Sequence, residues 1–218
     1  MVRTKLCGLG TEADVTAAVD AGADALGFIT DVDVDTPREI DPERARDLAA
    51  TVPPFVTTVA VTIPGSVEEA VAVAETVDPD AIQIYGEFDA DAVEDIGDRS
   101  GADTIVALGV DDAERARALD GAADALLVDS LSEAGAGGTG ETHDWERTRE
   151  LREELDTPLV LAGGLGPGNV AGAVESVAPF AVDVASGVER EDEPGRKDAD
   201  AMRAFVREAT RASHAEVA

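Results

Sequence analysis

The sequence predicts an α/β protein, a single closed (β/α)8 barrel over residues 1–218, and three observations lead there. Eight short apolar runs alternate with longer acidic, amphipathic stretches, so that a strand–helix unit recurs roughly every 27 residues. The apolar runs are continuous, as suits parallel strands buried on both faces. The segment AGADALGF (Ala21 to Phe28) returns as GAADALLV (Gly121 to Val128), each a helix end running into a strand, with no linker between the repeats. A doubly wound open sheet is the alternative that the same alternation allows.

The strands are expected at Val2 to Cys7, Asp24 to Ile29, Phe55 to Val61, Ala81 to Tyr85, Thr104 to Leu108, Ala125 to Asp129, Leu159 to Ala162 and Phe180 to Ala185. Helix signals fill the gaps. Thr11 precedes an apolar-periodic stretch with Asp14 three residues on, and Gly22 follows as a left-handed cap. Asp41 then Pro42 marks an N-cap and first helical position, and Ser66 with Glu69 makes a capping box. Pro167 opens a stretch to Val177, and Asp198 opens the last helix, to about Ser213.

Composition narrows the function classes. There are 47 Asp+Glu against 17 Lys+Arg, a formal net charge of -30, which repels nucleic-acid backbones and anionic membranes. With one cysteine there is no internal disulfide, and clustered Cys/His metal ligands are absent from the sequence. The start MVRTKLCGLG lacks the apolar core of a signal peptide and no run is long enough to span a bilayer, so a cytoplasmic protein is expected. Of the basic residues only Lys5 and Lys197 are lysines, and aromatics are 3% of the chain. That profile resembles proteins of extreme halophiles, where molar salt, with a Debye length of about 3 Å, screens the carboxylates from one another.

A barrel carries its chemistry at the C-terminal ends of its strands and in the loops that follow. Cys7 ends the first strand; Lys5, two residues earlier, points the same way, and an ammonium there favours a thiolate. Asp129 ends the sixth strand after an apolar run, where partial desolvation suits a general acid, although a turn former or cap is the plainer reading. Two glycine-rich segments, AGGLGPGN at Ala162 to Asn169 and ASGVE at Ala185 to Glu189, follow strands seven and eight. Loops there, beside a helix start, offer backbone N–H groups to a phosphate without a basic surface. Arg38, in TPRE after strand two, can grip a carboxylate through two parallel hydrogen bonds, with a surface ion pair as its competitor. His143 and His214 have no metal-ligand spacing and are taken as loop and tail residues, and Glu191 to Glu193 as a solvated acidic loop.

With these residues placed, the chain resembles the phosphoribosylanthranilate isomerase family over nearly its whole length. The resemblance rests on KLCG, AGADALGF, TPRE, IQIYG, LLVDS, GGTGETHDW, LAGGLGPGNV, DVASGVE and PGRKD, in that order. It implies a TIM barrel and an Amadori rearrangement of N-(5-phosphoribosyl)anthranilate to 1-(2-carboxyphenylamino)-1-deoxyribulose 5-phosphate in tryptophan biosynthesis. It also implies Asp129 as general acid and Cys7 as general base, Arg38 on the anthranilate carboxylate, and Gly163, Gly164, Ser186 and Gly187 on the phosphate. Asp183 would face the ribose hydroxyls. No cofactor or metal is expected, the partner being a small phosphoribosyl substrate, with monomer and homodimer both open. The chain departs from the pattern at Tyr85, where a histidine is usual, at Glu141 in place of a lysine, and at Ala185. Other phosphosugar barrels, such as the histidine-pathway isomerase or a dual-specificity version, and a non-catalytic phosphometabolite-binding barrel are the alternatives.

Overall fold

Eight parallel strands hydrogen-bond in chain order and close on themselves, β1 pairing with both β2 and β8. The structure, a computed structural model, describes residues 1–129 and 145–215. The strands are β1 (Arg3–Cys7), β2 (Ala25–Ile29), β3 (Thr57–Thr62), β4 (Ala81–Ile84), β5 (Asp103–Gly109), β6 (Ala125–Asp129), β7 (Leu159–Leu161) and β8 (Ala181–Val184). The helices between them are α1 (Glu12–Ala21), α2 (Pro42–Ala49), α3 (Val67–Val77), α4 (Ala90–Ser100), α5 (Ala113–Ala118), α6 (Trp145–Glu154) and α7 (Val170–Val177), and α8 (Ala199–Ala215) follows. No helix among the described residues is long and apolar enough to cross a membrane. The open-sheet alternative is excluded by the β1–β8 ladder, which pairs Lys5 with Asp183.

Local chemistry explains the helix limits. Thr11 Oγ1 accepts from the Asp14 amide, and Gly22 closes α1 in the left-handed region. Ser66 caps α3 by accepting from the Glu69 amide, but Glu69 returns its bond to the Gly65 amide, one residue outside the expected box. Asp41 precedes Pro42 as expected, without a side-chain cap. Asp198 Oδ1 accepts from the amides of Asp200 and Ala201, and α8 runs on to Ala215.

Several expected boundaries are corrected. β3 starts at Thr57 because Phe55, after two prolines, sits at φ 73 with its ring in solvent. β8 starts at Ala181, since Phe180 stays outside with its ring 4.2 Å from the Arg3 guanidinium. The α7 helix begins at Val170 instead of Pro167, because Asn169 holds residues 164–169 in a turn, accepting from the Gly166 amide and donating to the Gly164 carbonyl. Residues 191–193 are exposed, as expected of a solvated acidic segment, and residues 191–192 form the turn between β9 (Glu189–Arg190) and β10 (Glu193–Lys197) of a small antiparallel hairpin.

The aspartate that precedes alternate strands has a physical purpose. Asp24, Asp80 and Asp124 stand before β2, β4 and β6, and each accepts both the amide and the hydroxyl of a threonine on the preceding strand, Thr4, Thr58 and Thr104, at 2.7–3.2 Å. These clamps fix strand register at the end of the barrel away from the active face. Most apolar side chains pack between the strands and the helix shell, where Leu6, Phe28, Val182 and Phe205 are fully buried or lie in the same cluster. The alternate positions point inward, where small residues such as Val59, Ala81, Ala107 and Ala162 leave room for the buried polar groups Lys5, Gln83 and Asp183.

Candidate active site

At the C-terminal mouth of the barrel lies a cavity of about 790 Å3, its open entrance included. Cys7, Arg38, Tyr85, Asp129, Gly163, Gly164, Asp183 and Ser186 all line it, so residues from strands one, two, four, six, seven and eight converge on one space. Gly187 and Lys5, also singled out from the sequence, lie outside the lining.

Cys7 is buried at the end of β1, directly opposite Gly27 of β2. A Cβ on Gly27 would stand 2.7 Å from the Cys7 sulfur, so this glycine makes the room the thiol occupies. Its carbonyl also accepts from the amides of Gly8 and Leu9, fixing the turn that follows the cysteine. Lys5 does share the face of Cys7, as the strand spacing requires, but its ammonium is committed to Asp183 Oδ1 at 3.0 Å in a buried pair. Burial opposes the Lys5 charge, yet Asp183 and Cys7 outweigh it and hold the lysine pKa above its ordinary value. For the thiol the balance runs the other way. Burial pushes the Cys7 pKa up, Lys5 and Lys197 pull against it, and Asp183 adds to the rise, leaving it raised. Lys5 does pull the thiol toward the thiolate, as expected, but burial outweighs that pull.

Asp129, buried at the end of β6, accepts from the Tyr85 hydroxyl on Oδ2 at 3.3 Å, and that hydroxyl accepts from Gln83 Nε2 at 3.3 Å. Burial, then the Asp129 carboxylate, keeps the phenol well above its ordinary pKa, so Tyr85 remains a donor. The departure at Tyr85 thus supplies a hydrogen-bond donor to the carboxylate, a contact that residue identity alone does not disclose.

The two glycine-rich loops meet backbone to backbone. A Cβ on Gly187 would fall 1.9 Å from the Leu165 carbonyl, a contact only glycine permits. Gly163 and Gly164 take φ of 84 and 62, and Ser186 opens a three-residue 3-10 turn, Ser186–Val188. Among the described residues no hydrogen bond engages the amides of Gly163, Gly164 or Ser186, which border the cavity. The α7 helix begins at Val170, immediately after the first of these loops, so a helix start does lie beside it as expected.

Arg38 faces the cavity with its guanidinium already engaged: Nε and Nη2 donate to Glu189 Oε1 and Oε2 at 2.6 and 3.0 Å. Sequence reasoning missed Glu189 and Lys197. The available signal was that Lys197 is one of only two lysines and that both stand in family-like motifs. Glu141 and His143 lie outside the described residues, as does the side chain of His214. Among the described residues no cluster of His, Cys, Asp and Glu is arranged to hold a metal ion.

Residues 4–208 match a family model for N-(5'phosphoribosyl)anthranilate (PRA) isomerase. The chain is 57% identical over 206 residues to the N-(5'-phosphoribosyl)anthranilate isomerase of Natronomonas pharaonis, covering 94% of this chain and 97% of that one. It is 53% identical over 211 residues to that of Halorubrum lacusprofundi, covering 97% and 98%. A monomeric form of the dimeric phosphoribosylanthranilate isomerase from Thermotoga maritima has the same fold, with TM-score 0.81 and 34% identity over 96% of this chain and 99% of that one. A phosphoribosyl anthranilate isomerase in complex with reduced 1-(o-carboxyphenylamino)-1-deoxyribulose 5-phosphate matches at TM-score 0.76 and 33% identity, over the same shares.

Proposed function

We infer the chemistry from one premise: the chain belongs to the N-(5'-phosphoribosyl)anthranilate isomerase family and is an isomerase of tryptophan biosynthesis acting on a phosphoribosyl substrate. Asp129 is the general acid and Cys7 the general base of the rearrangement. The observation that supports this assignment is that both side chains line one cavity, beneath loops in which the amides of Gly163, Gly164 and Ser186 have no acceptor among the described residues.

The phosphate sits on the amides of Gly163, Gly164, Ser186 and Gly187, binding an anion in a chain of formal charge -30 without a basic surface. Arg38 receives the anthranilate carboxylate on donors that Glu189 does not use, since a guanidinium carries five N–H groups. Asp183 gives Oδ1 to Lys5 and turns its second oxygen to the ribose hydroxyls.

With the substrate so held, Asp129 passes its proton to the ribose ring oxygen. The C1–O bond breaks and the nitrogen lone pair completes a cationic Schiff base, while the hydrogen bond from Tyr85 stabilises the carboxylate left behind. Cys7 then takes the proton from C2, and those electrons flow into the iminium to give an enolamine. Tautomerisation of the enolamine, with a proton added at C1, yields the ketone. The order matters because burial keeps Cys7 a thiol in the free protein. A cation formed in the cavity favours the thiolate: after ring opening the Cys7 proton passes through solvent to the Asp129 carboxylate, which restores the acid and leaves the sulfur free to take the C2 proton.

The test is turnover: the anthranilate fluorescence of the phosphoribosyl substrate should fall when the purified chain is added at molar salt. No change above the uncatalysed rate, in protein with a native thermal transition, overturns the assignment.

A further inference from the structure

We propose that Glu189 and Lys197 form a buried positioning pair that orients Arg38 toward the substrate carboxylate and ties it to the phosphate loop. The proposal deepens the reading of Arg38 as the carboxylate ligand and rests on it. Glu189 holds Arg38 through two hydrogen bonds, 2.6 and 3.0 Å long. The Lys197 ammonium, with no side-chain exposure at all, donates to Glu189 Oε1 at 3.0 Å and to the Ala185 carbonyl at 2.9 Å. Ala185 immediately precedes Ser186, so one ammonium joins the carboxylate end of the cavity to its phosphate end.

Charge explains why two residues are needed. Glu189 fixes the direction of Arg38 while cancelling its charge, and Lys197, its pKa lowered by burial but supported by Glu189, adds a positive charge to the set. Burial raises the Glu189 pKa, but Arg38, the Gly195 amide and Lys197 draw it down to about 2, so Glu189 stays ionised. Packing makes the arrangement rigid. The β9–β10 hairpin that carries both residues presses on the Arg38 loop so closely that a Cβ on Gly195 would stand 2.7 Å from the Pro37 carbonyl. In a chain that uses arginine for every other basic residue, both lysines are buried beside this cavity.

Glu189→Gln keeps the shape and removes the charge that grips Arg38. Two ligands separate positioning from general structure: the reduced carboxyphenylamino deoxyribulose phosphate, and the same compound built on aniline, without the carboxylate. Glu189→Gln should weaken binding of the first about 10- to 100-fold and of the second less than about threefold, raising KM with kcat nearly unchanged. Equal loss for both ligands, or no loss for either, overturns the pair. Arg38→Ala, run alongside, must show the same selectivity. If it does not, the carboxylate assignment of Arg38 has failed and the pair falls with it, whereas selective loss in Arg38→Ala alone overturns only the role of Glu189. Should Glu189→Gln melt below the assay temperature, Glu189→Gln/Lys197→Met removes both buried charges together and is read by the same two ligands.

Discussion

Replacing Gly27 with alanine should disable the base without touching it. The new Cβ would stand 2.7 Å from the Cys7 sulfur and 3.2 Å from the Cys7 Cα. Non-bonded carbon contacts settle at roughly 3.5–4.0 Å, so the sulfur must move by about 1 Å or the two strands must part. A displacement of about 1 Å at a reacting group is worth roughly 100-fold in rate, while overpacking of this kind destabilises a fold by about 1–3 kcal/mol. We therefore expect Gly27→Ala to lower kcat/KM about 100-fold, with a thermal midpoint reduced by about 2–12 °C. The fluorescence assay gives the first quantity and a thermal melt the second. Cys7→Ala/Gly27→Ala provides the control: with no sulfur to displace, the second alanine should cause almost no further loss, and part of the lost stability should return. A folded Gly27→Ala protein with the wild-type kcat/KM, or fully additive losses in the double variant, refutes the claim that this glycine positions the base.

Other consequences follow from the same geometry. Tyr85→Phe removes the hydroxyl that donates to Asp129 and should lower kcat about tenfold with KM little changed; an unaltered kcat contradicts a working Tyr85–Asp129 contact. Because burial raises the Cys7 pKa, alkylation of this sole cysteine in the free protein should accelerate about tenfold per pH unit and keep rising beyond pH 9, so a plateau below pH 8 shows that the neighbouring lysines dominate instead. At a formal charge of -30, the thermal midpoint should climb by several degrees or more between dilute buffer and molar salt, as screening relieves carboxylate repulsion, and a midpoint that stays level contradicts that account.

The parts of the molecule legible in sequence are those with a local cause. Strand–helix alternation announces the barrel, and caps such as Thr11, Ser66 and Asp198 act within a few residues. The placement of Cys7 and Asp129 at the cavity was legible because a strand end is a local feature and the active face of a barrel is fixed by topology. What stayed hidden depends on pairings across the closed sheet. Lys5 finds Asp183 at a sequence separation of 178, and Arg38 finds Glu189 at a separation of 151. Gly27 looked like part of an apolar strand; only the β1–β2 register, which sets it opposite Cys7, reveals it as space for a sulfur atom. The hairpin at Glu189–Lys197 was obscured for another reason: its acidic composition masks two side chains that point inward.

The division of labour between sulfur and carboxyl is tested most directly by the kcat of Cys7→Ala and Asp129→Asn, each measured beside its affinity for the reduced product analogue. Both should lose at least about 100-fold in kcat while binding the analogue within about threefold of the wild type. Either variant turning over near the wild-type rate would show that the proton is moved by some other group.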